Sequence, residues 1–198
     1  MAGFSVSSLA FDLETSSEAD IEEVGAWNYS RHPSTRVLCG AFTNEDGNVN
    51  CYDLTIGQWP KEWEIAVRDG LDIWADNCSF EYSIITNVLP QWPQPKLNSW
   101  RDFQWIASCA ARPVGLAKRA AALGIVEQKD KKGTSLINFF CKPISSGGKK
   151  GQFRLPSEHP DRFAELMAYC AQDVRTSVAT REAMRALTPD ELEFCLTT

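Results

Sequence analysis

"SLAFDLETSS", residues 7–16, decides how the chain is read. An apolar run ends in two acids, Asp12 and Glu14, with a single leucine between them. "LAFDLE" predicts a first strand, with turn-formers after it. Strand side chains alternate faces, so Asp12 and Glu14 point the same way, while Phe11 and Leu13 point into packing. Two anions side by side on a largely buried strand repel each other and lose hydration. A divalent cation neutralises such a pair, and hard oxygen ligands suit magnesium or manganese. The plainer alternative is a strand edge that reaches solvent with two hydrated acids. Partners elsewhere in the chain must decide.

The 198 residues fit one domain, 1–198, with a sizeable core. Hydrophobic residues make up 43% and charged residues 23%, which is ordinary globular composition. No apolar run approaches the ~18 residues of a membrane span, and no signal-peptide pattern opens the chain. A soluble cytoplasmic protein is expected. The formal net charge of −6 counts against a broad electrostatic grip on nucleic acid. It leaves room for a nuclease whose acids hold cations. Seven cysteines without a C-x-x-C pair argue against a disulfide framework or a zinc knuckle. They are expected to be reduced and mostly buried.

The rest of the chain alternates strand and helix signals. "RVLCGAFTN" and "NVNCYDL" predict strands around an "EDG" hairpin turn. "WPKEWEIAVRDG" predicts a short helix stopped by Gly70. "LDIWADN" predicts a strand and "SFEYSIITNVL" the helix after it. "RDFQWIASCAA" and "VGLAKRAAALG" predict two helices parted by Pro113, with Gly124 capping the second. The basic, glycine-rich segment 127–156 predicts two mobile loops around a short helix. A long helix is expected from Pro160 to about Leu187, then a short one in "TPDELEFCL". This order indicates an α/β layered domain.

Two further segments offer partners for the acids. "YCAQDV" puts Tyr169 and Asp173 on one helix face, although Asp173 paired with Arg175 or Arg154 at the surface is the simpler account. "WADNCSFEYS" puts Asn77 and Glu81 at a strand-to-helix turn, where ligand sites of α/β sheets gather. Helix capping by Asn77 or Ser79, with Glu81 favouring the dipole, would equally explain them.

Taken in order, D-x-E, N-x-x-x-E and Y-x-x-x-D resemble the motif set of the DEDDy class of 3′–5′ exonucleases, in the DnaQ-like superfamily. "GTSLINFFCKP", "RLPSEHPDRFAELMAYCAQDV" and "LTPDELEF" are similar to the proofreading domain of bacteriophage family A DNA polymerases. The resemblance runs from about Ser7 to Phe194. It implies an α/β ribonuclease H-like three-layer fold, a mixed central sheet flanked by helices. It also implies two divalent ions, Mg2+ or Mn2+, held by Asp12, Glu14, Glu81 and Asp173. Tyr169 matches the tyrosine that orients the attacking water. Asn77, Thr15 and the Leu13 backbone match the residues that place the 3′ end. The family usually has aspartate where Glu81 stands.

The implied activity is removal of nucleoside 5′-monophosphates from a DNA 3′ end, as proofreading for a phage polymerase domain or subunit. The histidine class of these enzymes is disfavoured, because Ala168 stands where its histidine belongs. His32 and His159 are expected on loops or at the surface. Lys142, Lys149, Lys150 and Arg154 are candidates for gripping single-stranded DNA. A non-catalytic scaffold holding a polymerase partner and an RNA exonuclease of the same chemistry are the competing readings.

Overall fold

A computed structural model describes residues 8–125 and 131–197, without the side chains of residues 131 and 132. Five strands form one sheet: β1 (Ser8–Ser16), β2 (Arg36–Thr43), β3 (Val49–Asp53), β4 (Asp72–Ala75) and β5 (Trp100–Asp102). Their spatial order is β3-β2-β1-β4-β5. β1 to β3 are mutually antiparallel, whereas β4 runs parallel to both β1 and β5. The sheet is mixed, as expected, and β1 is its middle strand.

Helices cover both faces. On one face Leu9, Phe11 and Leu13 of β1 pack with Trp63 of α2 (Lys61–Asp69) and Ile84 and Ile85 of α3 (Cys78–Asn87). On the other, Ala10 and Trp74 pack with Phe103 of α4 (Phe103–Cys109), Phe140 of α6 (Lys131–Phe140) and Leu166 and Val174 of α7 (Pro160–Glu182). The alternation of β1 therefore sends Phe11 and Leu13 toward α2 and α3, and Asp12 and Glu14 toward α7.

α7 is the longest helix and crosses β1, β2 and β3. Pro160 opens it at the first position, where a missing N–H costs nothing. Its buried residues Phe163, Leu166, Cys170 and Val174 recur at three- and four-residue intervals, which makes one stripe facing the sheet. Gly70, at φ 66°, ends α2 in the left-handed conformation expected of it.

The structure departs from the sequence reading in four places. α1 (Ile21–Arg31) follows β1 where only turn-formers were expected. Gly25 (φ 74°) breaks its periodicity, and only Tyr29 and Ser30 in it are buried, so it carries little amphipathic signal. Trp100–Asp102 forms an edge strand rather than the start of a helix. α7 stops at Glu182, short of Leu187, and α8 (Pro189–Thr197) then follows as expected. α6 begins at Lys131, so part of the first expected loop is helical, and its residues 127–130 lie outside the described residues. The second loop closes on itself, with Ile144 N donating to Gln152 O at 2.9 Å and Gly151 N to Ile144 O at 2.9 Å.

One buried ion pair ties the end of β4 to two helices. Arg119 of α5 (Leu116–Ala122), with a fully buried side chain, donates to Asp76, which follows β4. Its Nε also donates to Thr180 Oγ1 of α7 at 3.1 Å, and Ser177 Oγ donates to Asp76 at 3.1 Å. Removing one partner strands the other charge in a poor solvent. Arg119→Ala is expected to cost about 3–5 kcal/mol. Chemical denaturation with a single transition measures it, and a loss below about 1 kcal/mol would refute the anchoring role.

Candidate active site

The ladder between β1 and β4 ends at Ala10, opposite Trp74. From Phe11 to Ser16, β1 pairs only with β2, and the register shifts between Glu14 and Thr15. Beyond the end of β4 the N-terminal turn of α3 follows, bringing Glu81 to the strand end. Asp12 and Glu14 thus lie at the carboxyl end of two parallel strands, where α/β sheets open a crevice.

α7 approaches from the other side. The Tyr169 hydroxyl is hydrogen-bonded to Asp173, and the charges of Glu14 and Asp12 also bear on it. Burial first, then Asp173, pushes this phenol well above its ordinary range. The surface pairing considered for Asp173 is not where Arg154 goes. Arg154 donates to Phe139 O at 3.0 Å and lies 4.4 Å over the Phe139 ring.

Glu81 is 2% exposed, and among the described residues its Oε2 meets no hydrogen-bond partner. Burial, and then the charge of Asp12, hold its carboxyl well above the usual carboxylate range. A buried acid with an orphaned oxygen facing a second acid is costly unless a cation joins them. Asp12, Glu14 and Cys170 bring ligand atoms within 4.8 Å of one another. Glu81 and Asp173 are not in that group, Glu81 being tied to Asp12 by charge and Asp173 to Tyr169 by a hydrogen bond.

Several groups fix these acids in place. Cys170 Sγ lies 3.5 Å from Asp12 Oδ2, and Cys141 Sγ lies 3.9 Å from Glu14 Oε2. A thiol is a weak donor, so both contacts orient the carboxylates more than they bind them. Asp102 caps α4 by accepting from Gln104 N at 2.7 Å. It also accepts from Asn77 N at 3.2 Å and Cys78 N at 2.8 Å, so it caps α3 as well. The cap that the sequence assigned to Asn77 or Ser79 therefore comes from a neighbouring strand. Asn77, at φ 81°, is exposed, and its Oδ1 accepts from Ser79 Oγ at 2.7 Å.

A groove of about 810 Å³ opens beside Glu14. Leu13, Thr15, Tyr29 and Phe80 line one part of it, and Lys142 and Lys150 another. Thr15 Oγ1 and the Tyr29 hydroxyl are hydrogen-bonded at 2.9 Å. Lys149 leans instead toward Glu158, at 3.9 Å. His32 bonds Ser34 (2.8 Å) and His159 packs on Phe139 (4.9 Å between centroids), so neither takes part.

Sequence reasoning missed Asp102, Cys141, Cys170, Tyr29, Phe80 and Gly133. Asp102 was legible as a helix cap for α4, because it directly precedes an apolar helical run. Its second helix was not, because that contact is tertiary. Gly133 has the same origin: a Cβ built on it would lie 2.2 Å from Tyr169 Cε2. Only a residue without a side chain lets α6 lie flat against that ring.

The geometry defines a class, a ribonuclease H-like α/β domain with a carboxylate cluster at the end of its first strand. The EXO domain of Nibbler from Aedes aegypti has a similar fold, with a TM-score of 0.50 at 15% identity, over 97% of this chain and 86% of that one. The sequence is 31% identical over 193 residues, 95% of the chain, to a DNA polymerase of Bacillus phage SP02. The chain spans 29% of that polymerase's length. No protein-family model matches it. The structural likeness agrees with the α/β ribonuclease H-like fold expected from the sequence, and the sequence likeness is to part of a phage DNA polymerase.

Two outcomes follow from this geometry. Glu81's folded pKa lies above its unfolded one, so the folded state holds the proton more tightly. Its contribution to stability is full below the ordinary carboxylate pKa and is lost as pH rises toward the folded value. In chelator, the thermal midpoint should therefore fall from mildly acidic toward alkaline pH. Glu81→Gln should flatten that slope, and an unchanged slope would contradict the assignment. Gly133→Ala should displace the Tyr169 ring and, on the nuclease reading proposed below, lower kcat by roughly 10²-fold, the usual cost of an ångström-scale misplacement. In a Tyr169→Ala background the same substitution should add little, which a double-mutant cycle measures.

Proposed function

We propose that this domain is a metal-dependent 3′–5′ exonuclease that removes nucleoside 5′-monophosphates from DNA 3′ ends and proofreads for a phage DNA polymerase. The observation that carries the reading is Glu81: a buried acid with an orphaned oxygen, under the charge of Asp12 from a separate element. A non-catalytic scaffold has no physical need for that arrangement. The likeness to a DNA polymerase favours DNA over RNA as substrate.

Asp12, Glu14, Glu81 and Asp173 would hold two divalent ions, Mg2+ or Mn2+. When bound, such a pair activates a water near the phosphorus and neutralises the leaving 3′ oxygen. Glutamate in place of the family's aspartate lengthens the second arm of this cage. Tyr169 stays a neutral phenol at physiological pH, since its pKa is raised rather than lowered. It therefore orients the water by hydrogen bonding and does not take its proton. Asp173 accepts the phenol's hydrogen and so fixes which way its lone pairs face.

The groove beside Glu14 suits a strand terminus. Leu13 and Thr15 border it at the acids, and Phe80 offers an aromatic face on which a terminal base can stack. Lys142 and Lys150 would meet the backbone phosphates. Asn77, exposed at the turn before α3, is placed to meet the terminal nucleotide. The polymerase partner would be a further domain or a separate subunit in the host cytoplasm. Among the described residues no helix is long and apolar enough to cross a membrane.

Asp12→Ala and Asp173→Ala should each lower release of labelled 3′ nucleotides by about 10²–10³-fold or more, the loss seen when one positioned electrostatic group is removed. Tyr169→Phe should retain metal binding and lose kcat. Matched DNA and RNA strands, assayed side by side in Mg2+, decide the substrate. Parent-like rates in the two alanine variants would overturn the proposal.

A further inference from the structure

On the sheet face covered by α7, three thiols meet. Cys39 of β2, Cys51 of β3 and Cys170 of α7 have sulfurs within 4.8 Å of one another. The register explains the strand pair: Cys39 lies opposite Asp53 and Cys51 opposite Ala41, so the two cysteines are diagonal neighbours on one face. α7 lays Cys170 over them. Scattered spacing hid this arrangement in the sequence, because each cysteine comes from a different element.

We propose that Cys39, Cys51 and Cys170 form a three-thiolate site for a soft divalent ion of the zinc class. A zinc–sulfur bond of about 2.3 Å needs sulfurs roughly 4 Å apart, and the observed spread permits that with small side-chain rotations. Thiolates select soft ions, whereas the neighbouring carboxylates select hard ones. The two sites therefore divide by chemistry although Cys170 borders both. Each thiol gives its proton to solvent as its sulfur–metal bond forms, and no redox change occurs. Three thiolates and a divalent ion leave one negative charge, and the charge of Arg175 already reaches Cys51. Access is through Cys51, partly exposed on the edge strand β3, while Cys39 and Cys170 are fully buried.

Such an ion would fasten the two outer strands to the helix that carries Tyr169 and Asp173. This inference does not depend on the nuclease reading, since the ligands are thiols and the readout counts sulfur.

The experiment titrates the full chain with Cd2+ in excess Mg2+, which occupies the oxygen donors. X-ray absorption at the cadmium edge then counts sulfur ligands. Three sulfurs on one ion per chain are expected. Cys51→Ser should reduce the count and weaken binding by more than the ~10-fold that a lost supporting contact costs. Cys195→Ser, in α8, should change neither. Two or fewer sulfurs on the parent protein would overturn the proposal, as would a count that Cys51→Ser leaves unchanged. The parent measurement needs no variant to fold. It also separates this site from the alternative set of Asp12, Glu14 and Cys170, which supplies only one sulfur.

Discussion

The repulsion among acids at the end of β1 is the constraint around which the rest of the domain is arranged. Oxygens of Asp12 and Glu14 approach within 4.8 Å. Two like charges about 4 Å apart cost roughly 4 kcal/mol at an effective dielectric of ~20. Domains of this kind have only about 5–15 kcal/mol of net stability. Adding the buried Glu81 raises the cost, and burial with the charge of Asp12 shifts its carboxyl above the usual range, which disfavours a further negative charge there. Site and stability are thus opposed in the absence of cations, and any ion that binds the folded acids stabilises the fold by linkage.

The framework that tolerates this opposition lies mostly behind the site. β1 is the middle strand, flanked by β2 and β4, so its backbone cannot relax away from the neighbouring acid. Asp102 holds the first turn of α3, and with it Glu81, by accepting from two backbone amides of that turn. The Arg119–Asp76 pair locks the end of β4 to α7. Asp76 also bears electrostatically on Glu81, but its own charge is paired with Arg119. The distinction between these acids is one of partners: Asp76 has an arginine, whereas Glu81 faces another carboxylate.

Period-two alternation made β1 legible, and the hairpin chemistry of "EDG" made β2 and β3 legible. The order of elements then indicated an α/β domain. α1 was hidden because Gly25 interrupts it and so few of its residues face the core. β5 was hidden because three residues cannot display a period. At the site, each motif acid had an ordinary explanation by itself, and only their order along the chain, which resembles an exonuclease motif set, singled them out. The groups that orient them could not be read. Cys170, Cys141 and Gly133 read as ordinary core or loop residues until α6 and α7 are laid against the sheet. The Asn77 turn shows the limit most clearly, since the expected local cap is replaced by Asp102 from β5.

Tyr169 illustrates how packing turns a common residue into one with a defined chemical role. A phenol with an ordinary pKa near 10 is already a poor base at neutral pH. Burial and three nearby acids push its proton affinity higher still, so ionisation is closed to it. What remains is direction. The α7 spacing puts Asp173 one turn away, where it accepts the hydroxyl hydrogen, and Gly133 presses on the ring from α6 and limits its swing. With its hydrogen committed to Asp173, the phenol can act toward any other neighbour only as an acceptor. Glu81 enters from a separate element, α3, whereas the Gly133–Tyr169 packing joins α6 to α7, so the acid and the phenol are positioned by different parts of the fold.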